Sequence, residues 1–314
     1  MFISVIICSR GRAQSLGETL DTLFVPGNLD VPDWEILVAY GPNESGETEI
    51  CRKLDERFPG RLRYWLRAEE GKSAALNTAF AKARGDVWAL TDDDVIVAPD
   101  FISAIHATFE KYAVDGVQGR VLLECEGGRP AWMGDELSRW MSERDYGHKV
   151  FEWNENLTGT NMIFRADVVR RIGGFAPELG AGAVGFAEDS EFSMRMRKSG
   201  SKLLYVPEIL IHHRLPADRL TKASFRERFF RLGKTEAFLT PLRSPLWRFA
   251  LYSCKTAIFD ALQSFFFLST GKSGQAVLKQ CHAYQVLGAF WQYVVFQRQG
   301  HRRDTFYKPQ TDSE

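Results

Sequence analysis

The stretch DVWALTDDDVIV, residues 86–97, decides how this chain is read. Residues 87–90 form an apolar run after Gly85, and residues 95–97 resume it before Pro99, as an inner strand of a covered sheet would. Three consecutive carboxylates, Asp92, Asp93 and Asp94, interrupt the run. Unpaired charge beside a core is costly, so cations must meet these groups. In an extended chain Asp92 and Asp94 project to one side and Asp93 to the other. That is a two-oxygen clamp for a hard divalent cation, Mg²⁺ or Mn²⁺, which keeps water or phosphate oxygens in its remaining positions. The competing reading is a solvated acidic turn ahead of a helix over 101–112, with Asp100 as its N-cap.

The chain has 314 residues, room for one large α/β domain or for a catalytic domain with an appendage. Its net charge is zero, which excludes a general nucleic-acid binder. The charge is uneven, however: residues 214–248 carry nine Lys or Arg against three acids, a belt that calls for an anionic partner. The five cysteines are odd in number and lack paired metal spacing, so they read as reduced thiols of a cytosolic protein. The apolar run over 2–8 is too short for a signal peptide or a membrane span and reads as the first strand.

Further strands are expected over 34–39, 62–66 and 86–90, and helices follow from Leu16, Leu20 and Leu23, over 47–58 and over 74–83. This alternation fits βαβ crossovers and a mainly parallel sheet flanked by helices, whose ligands bind beyond the strand carboxyl ends. Three of those ends carry polar clusters: Ser9-Arg10, Tyr40-Gly41 and Asp92 to Asp94. No GxGxxG or GxxxxGK[ST] follows a strand, which disfavours hydride transfer and P-loop chemistry.

The order VIICSR (5–10), EILVAYGPNES (35–45), GKSAALNTAF (71–80), DVWALTDDDV (86–95), TGTNMIFR (158–165), GGF (173–175), AEDSEF (187–192) and HHR (212–214) resembles the inverting family-2 glycosyltransferases of GT-A type over about residues 2 to 235. The resemblance implies a nucleotide-sugar donor. Ser9 and Arg10 then match positions that hold the nucleoside. Tyr40 stands where similar proteins usually place Asp; it can stack on a base but cannot accept hydrogen bonds as a carboxylate would. Lys72, at a helix start where the macrodipole disfavours a cation, is expected to meet a ligand or the aspartates. Asn77, on the same helix, either faces the ligand or is a plain polar residue. Asp92 and Asp93 fall among the donor-binding positions, and Asp92, Asp94 and His213 among the metal ligands. Pro207 argues that residues 203–211 form an edge strand or a break. By the same resemblance Asp189 is the base, with Glu188 beside it; the alternative is that Glu188, Asp189 and Glu191 merely complement a helix dipole. Arg214, Arg219, Arg231 and Lys234 are candidates to neutralise diphosphate. Residues 158–165, with Trp132, Trp153 and Phe175, mark the acceptor side, where aromatics stack on sugars or fill core.

Residues 236–300 are expected to be helical and to meet a membrane interface, and residues 301–314 to form a polar tail. At about 100° per residue, Leu251, Ile258, Leu262 and Phe265 share one face, with Asp260, Ser253 and Gln263 on or near the other. Arg248 and Lys255 flank the apolar stripe, within reach of lipid phosphates. A second helix is expected over 277–296, so that the pair lies in the interface, forms an oligomer contact or caps the catalytic core.

The expected protein is a metal-dependent inverting glycosyltransferase acting on a glycan or lipid-linked acceptor at the cytoplasmic face of an anionic membrane. A polyprenyl-phosphate glycosyltransferase and a catalytically silent assembly subunit are the alternatives.

Overall fold

A computed structural model describes residues 1–41, 46–67, 71–240 and 245–298; the loop expected over 41–46 is therefore described only at its ends, and the tail over 301–314 lies outside the described residues. In chain order the elements are β1 (Ile3–Ser9), α1 (Ala13–Leu23), α2 (Pro26–Leu29), β2 (Trp34–Tyr40), α3 (Glu47–Arg57), β3 (Leu62–Leu66), α4 (Lys72–Lys82), β4 (Val87–Thr91), β5 (Val95–Val97), α5 (Phe101–Lys111), β6 (Gly116–Cys125), α6 (Asp135–Arg139), β7 (Phe151–Glu152), β8 (Asn161–Arg165), α7 (Ala166–Ile172), α8 (Glu188–Lys198), β9 (Leu203–Leu215), α9 (Lys222–Leu239), α10 (Leu246–Ser269) and α11 (Ser273–Arg298).

The first unit comprises Met1–Glu124, Met141–Pro177 and Glu188–Arg214. Its sheet runs β3-β2-β1-β4-β8-β6-β9-β5, with β7 also on β9. The β3-β2-β1-β4 half is parallel, and β8 then joins β4 antiparallel. Alternate side chains divide the core between two faces. Ile3, Val5, Ile7, Val87 and Ala89 pack with Leu16 and Leu20 of α1 and Cys51 and Leu54 of α3. Ile6, Trp88 and Leu90 pack on the other face with Leu76 and Phe80 of α4 and Phe192 of α8. Both faces are covered, which is why β1 and β2 read as nearly unbroken apolar runs.

The register brings the carboxyl ends together. Ser9 pairs with Tyr40, and Ile7 with Thr91, so the residue after Thr91 emerges beside the end of β1. The chain does not stay extended there: β4 stops at Thr91 and the aspartates make a turn into β5, so the expected alternation of Asp92 and Asp94 on one strand face does not occur. Hydroxyls of α1 hold the far side of this turn. Ser15 donates to the Asp93 carbonyl at 2.7 Å, Thr19 both donates to the Val95 carbonyl and accepts its N–H, and Thr22 accepts from Val97 N–H.

Two local expectations give way to longer-range contacts. Asp100 makes no side-chain cap on α5; Asn28 accepts the Ile102 N–H at 2.9 Å instead. Pro207 lies neither on an edge strand nor in a break. It falls in β9 between Leu204 and Tyr205, which pair with β7, and Ile211 to His213, which pair with β5.

The second unit comprises Cys125–Trp140, Glu178–Ala187 and Leu215–Glu314, and α9 groups there with the C-terminal helices. Gly233 of α9 and Gly288 of α11 explain this: a Cβ on either would stand 1.8 Å from the Gln285 carbonyl oxygen or 2.0 Å from that of Phe230, so the helix backbones nearly touch. In α10 polarity is inverted. Ser253, Asp260 and Ser264 are buried, Asp260 accepting from His282 and Ser264 from Gln280, whereas Trp247, Leu251, Ile258, Leu262 and Phe265 are exposed. The face expected to be apolar is the outward one. Among the described residues no helix is long and apolar enough to cross a membrane.

Candidate functional site

The aspartate turn sits among groups contributed by β1, the start of α1, α4, the residue before β8, and β9. Asp92 is half-buried; its Oδ1 accepts from Lys72 Nζ at 2.5 Å and its Oδ2 from the Thr160 hydroxyl at 2.9 Å. Asp93, 4% exposed, accepts from the Ser9 hydroxyl at 2.6 Å and from Arg12 at 3.1 Å. Asp94 accepts from the same guanidinium at 2.9 Å and turns its other oxygen to His213 Nε2 at 3.4 Å. Lys72 therefore meets the aspartates, as its position at a helix start implied.

Electrostatics follow the geometry. Burial is the largest single influence on Asp92 and opposes its charged form, but Lys72, through its charge and its hydrogen bond, leads the opposing influences, and the net effect holds this carboxyl below the ordinary range. Asp93 is raised because burial outweighs Arg12. Burial likewise works against the Lys72 ammonium, yet Asp92 and Glu188 leave it well above the ordinary lysine range.

The residues fit a divalent cation in part. His213 Nδ1 lies 3.0 Å from the Met141 carbonyl, which can only accept, so Nδ1 donates there and Nε2 is the ring nitrogen turned to Asp94. A carboxylate oxygen and an imidazole nitrogen facing each other at 3.4 Å are two atoms that a cation would join as ligands. Asp92 is instead turned to Lys72 and Thr160, and among the described residues no group of three His, Cys, Asp or Glu stands arranged as a metal cage. A cation here would need ligand oxygens from a substrate.

Across the turn, α8 opens with Glu188 and Asp189. Asp189 Oδ2 accepts the Gly159 N–H at 3.0 Å and Oδ1 the Ser190 N–H at 2.7 Å, which fixes the carboxylate at the head of the helix. Glu188 is pushed up to about 7, by burial first and by the neighbouring Asp189 second.

The remaining candidates differ in their surroundings. The Tyr40 ring is buried in the core and its hydroxyl accepts from Thr48 at 2.8 Å, so it does not present a face for a base. Asn77 spends both ends of its amide on the Phe175 backbone. Arg214 pairs with Glu18 and donates to the Ser15 carbonyl, bracing α1 rather than standing ready for diphosphate. Arg231 lies over the Phe186 ring. Arg10 is exposed, its Cγ against Gly41. Trp153 and Phe175 belong to the core, and Trp132 packs edge-on against Phe225.

Sequence reasoning missed Arg12, Thr160 and Gly159 as individual residues. The need for cations beside the aspartates is the signal that could have found Arg12, two residues beyond Arg10; Thr160 and Gly159 lie within the TGTNMIFR stretch taken for the acceptor side.

Comparison with known proteins bears on this arrangement. A sequence model described as glycosyltransferase like family 2 matches residues 2–231. The succinoglycan biosynthesis protein ExoM of Rhizobium meliloti is 25% identical over 291 residues, 89% of each chain. The glucosyl-dolichyl phosphate glucuronosyltransferase of Haloferax volcanii is 24% identical over 226 residues, 68% of this chain and 70% of that one. Among solved structures, the mannosyltransferase PcManGT of Pyrobaculum calidifontis, in complex with GDP-Man and Mn²⁺, superposes with a TM-score of 0.63 at 19% identity, covering 93% of this chain and 86% of that chain. Residues 1–349 of S. aureus TarS, in complex with UDP, give 0.54 at 16% identity, covering 96% and 92%. The two structures share its fold.

Proposed function

The chain belongs to the family-2 glycosyltransferases of GT-A fold, and from that premise we propose a metal-dependent inverting transferase that moves a sugar from a nucleotide-sugar donor to a hydroxyl of a glycan or lipid-linked acceptor in making a cell-surface polysaccharide or glycoconjugate. The observation that carries this reading is the aspartate turn at the carboxyl end of β4, ringed by Ser9, Arg12, Lys72 and His213, with Asp189 anchored by Gly159.

In this reading Ser9 and Arg10 border the nucleoside, and Lys72 and Arg12 supply positive charge for the diphosphate. Asp94 and His213 would hold the divalent cation, Mn²⁺ or Mg²⁺, which when bound offsets charge building on the departing diphosphate. Asp189 takes the proton of the acceptor hydroxyl as that oxygen bonds to the anomeric carbon and the bond from that carbon to the diphosphate oxygen breaks on the opposite side. Such a base contributes roughly 10² to 10⁴ in rate. Mn²⁺ with GDP-Man in PcManGT and UDP in TarS support the donor class; the names of the ExoM and Haloferax relatives support a polysaccharide or lipid-linked acceptor. The outward apolar face of α10, flanked by exposed Arg248 and Lys255, supports peripheral contact with an anionic membrane, on the cytoplasmic side where such donors are found.

Calorimetric titration of UDP, GDP and dTDP, with and without Mn²⁺, tests the donor site. One diphosphate binds in a Mn²⁺-dependent way and the Asp92→Ala/Asp94→Ala variant loses it. Binding of none of the three would favour a catalytically silent assembly subunit.

A further inference from the structure

We propose that Lys72 and Arg12 are built-in counter-cations that hold the aspartate turn in place of a divalent cation, and that a nucleoside diphosphate draws them off so that metal can enter. The inference rests on the reading that this edge binds a nucleoside diphosphate with a cation, and it assigns that binding a mechanism.

The geometry supports an exchange rather than a simple addition. Three carboxylates within one turn are met by two side chains that carry fixed positive charge: Lys72 on Asp92 at 2.5 Å, and Arg12 bridging Asp93 at 3.1 Å and Asp94 at 2.9 Å. A divalent cation arriving at Asp94 and His213 meets the Arg12 guanidinium on the other oxygen of the same carboxylate. With both cations in place the incoming charge is repelled at the very groups that should attract it. A diphosphate reverses this, because its several charged oxygens offer the ammonium and the guanidinium charge-assisted partners of their own and so free the carboxylates. The two side chains are suited to different shares of the movement. Lys72 has about a quarter of its side chain exposed and reaches over a flexible stem, whereas Arg12, 41% exposed, lies at the solvent edge. Metal and nucleotide are thereby coupled, and the coupling is reciprocal.

The experiment is a Mn²⁺ titration followed by the electron paramagnetic resonance of free Mn²⁺, with no sugar donor and no turnover, alone and with saturating UDP or GDP. Wild type binds Mn²⁺ at least tenfold more weakly without nucleotide than with it. Lys72→Met binds Mn²⁺ alone at least tenfold more tightly than wild type, its nucleotide coupling shrinks, and Lys72→Arg stays near wild type. Lys72→Met binding Mn²⁺ alone no more tightly than wild type, while melting normally, would overturn the exchange and leave the donor-site reading intact. Arg12→Gln, at the more exposed position, applies the same criterion where Lys72→Met fails to fold. Wild type binding Mn²⁺ under neither condition would sink the metal reading itself, and the exchange with it.

Discussion

Asn77 and Phe175 are joined through both ends of a single amide: Asn77 Oδ1 accepts the Phe175 N–H at 2.8 Å, and Nδ2 donates to the Phe175 carbonyl at 2.8 Å. A side chain of α4 thus substitutes for a strand partner and pins the GGF turn, 98 residues away in sequence. Asn77→Ala strands two backbone groups, at a cost of about 2 to 3 kcal/mol. The expected result is a lower urea midpoint with unchanged nucleotide affinity. Lost affinity at unchanged stability would restore the ligand-facing role.

Glu188 titrates near neutrality because burial and Asp189 disfavour its charge, giving a pKa of about 7. The fold favours its neutral form. Its stabilising contribution is therefore complete below the ordinary glutamate range and falls as pH rises to about 7, by at most ~3 kcal/mol. Glu188→Gln flattens this part of the stability curve, measured by urea unfolding between pH 5 and 8 (roughly the span of the shift). In the wild type kcat/KM is expected to rise through about pH 7 as Glu188 ionises beside the base. A limb unchanged in Glu188→Gln would assign it elsewhere.

Asp189→Asn keeps an oxygen to accept from Gly159 while removing the proton acceptor. Its kcat falls about 10² to 10⁴-fold with diphosphate affinity unchanged. Activity retained in this variant would favour a phosphate acceptor, which needs no base, and so the polyprenyl-phosphate reading.

The α9 and α11 backbones meet at Gly233 and Gly288, where a Cβ would stand 1.8 and 2.0 Å from carbonyl oxygens. Backbone cannot move aside as a side chain can. Gly233→Ala is expected to destabilise the helical unit by about 1 to 3 kcal/mol or more, seen as earlier proteolytic cleavage within α9 to α11.

Sedimentation with vesicles containing phosphatidylglycerol tests the outward face of α10. Wild type pellets with them and releases at high salt; Arg248→Glu/Lys255→Glu stays largely in the supernatant. Equal pelleting by both proteins would count against an interfacial helix.

Local pattern carried much of this protein. The apolar runs of β1, β2 and β4, the carboxylates breaking the run after Thr91, and the Leu251, Ile258, Leu262, Phe265 stripe were all legible, because each is a short-range signal of burial or exposure. Partnerships across the chain were not. Thr160 reaches Asp92 only because β8 pairs antiparallel with β4, and Met141 orients His213 from 72 residues away. The motif of Tyr40 suggests a ligand and that of Asn77 leaves a ligand or a plain polar role open, while the fold uses the first as core and the second as a clamp. Pro207 misled for a related reason: its rule concerns a missing donor, and β7 and β5 pair with the stretches of β9 on either side of it.

The hydroxyls of α1 have a consequence for how copies of this chain meet in a crowded cell. A three-residue strand at the end of a large sheet offers bare backbone groups on which another chain can template itself. Here Thr19 occupies both the N–H and the carbonyl of Val95, and Thr22 the N–H of Val97. The margin beside the aspartates is largely covered by side chains, so the protein keeps a short, sharply turned strand next to three carboxylates with fewer bare groups for the sheet to grow from.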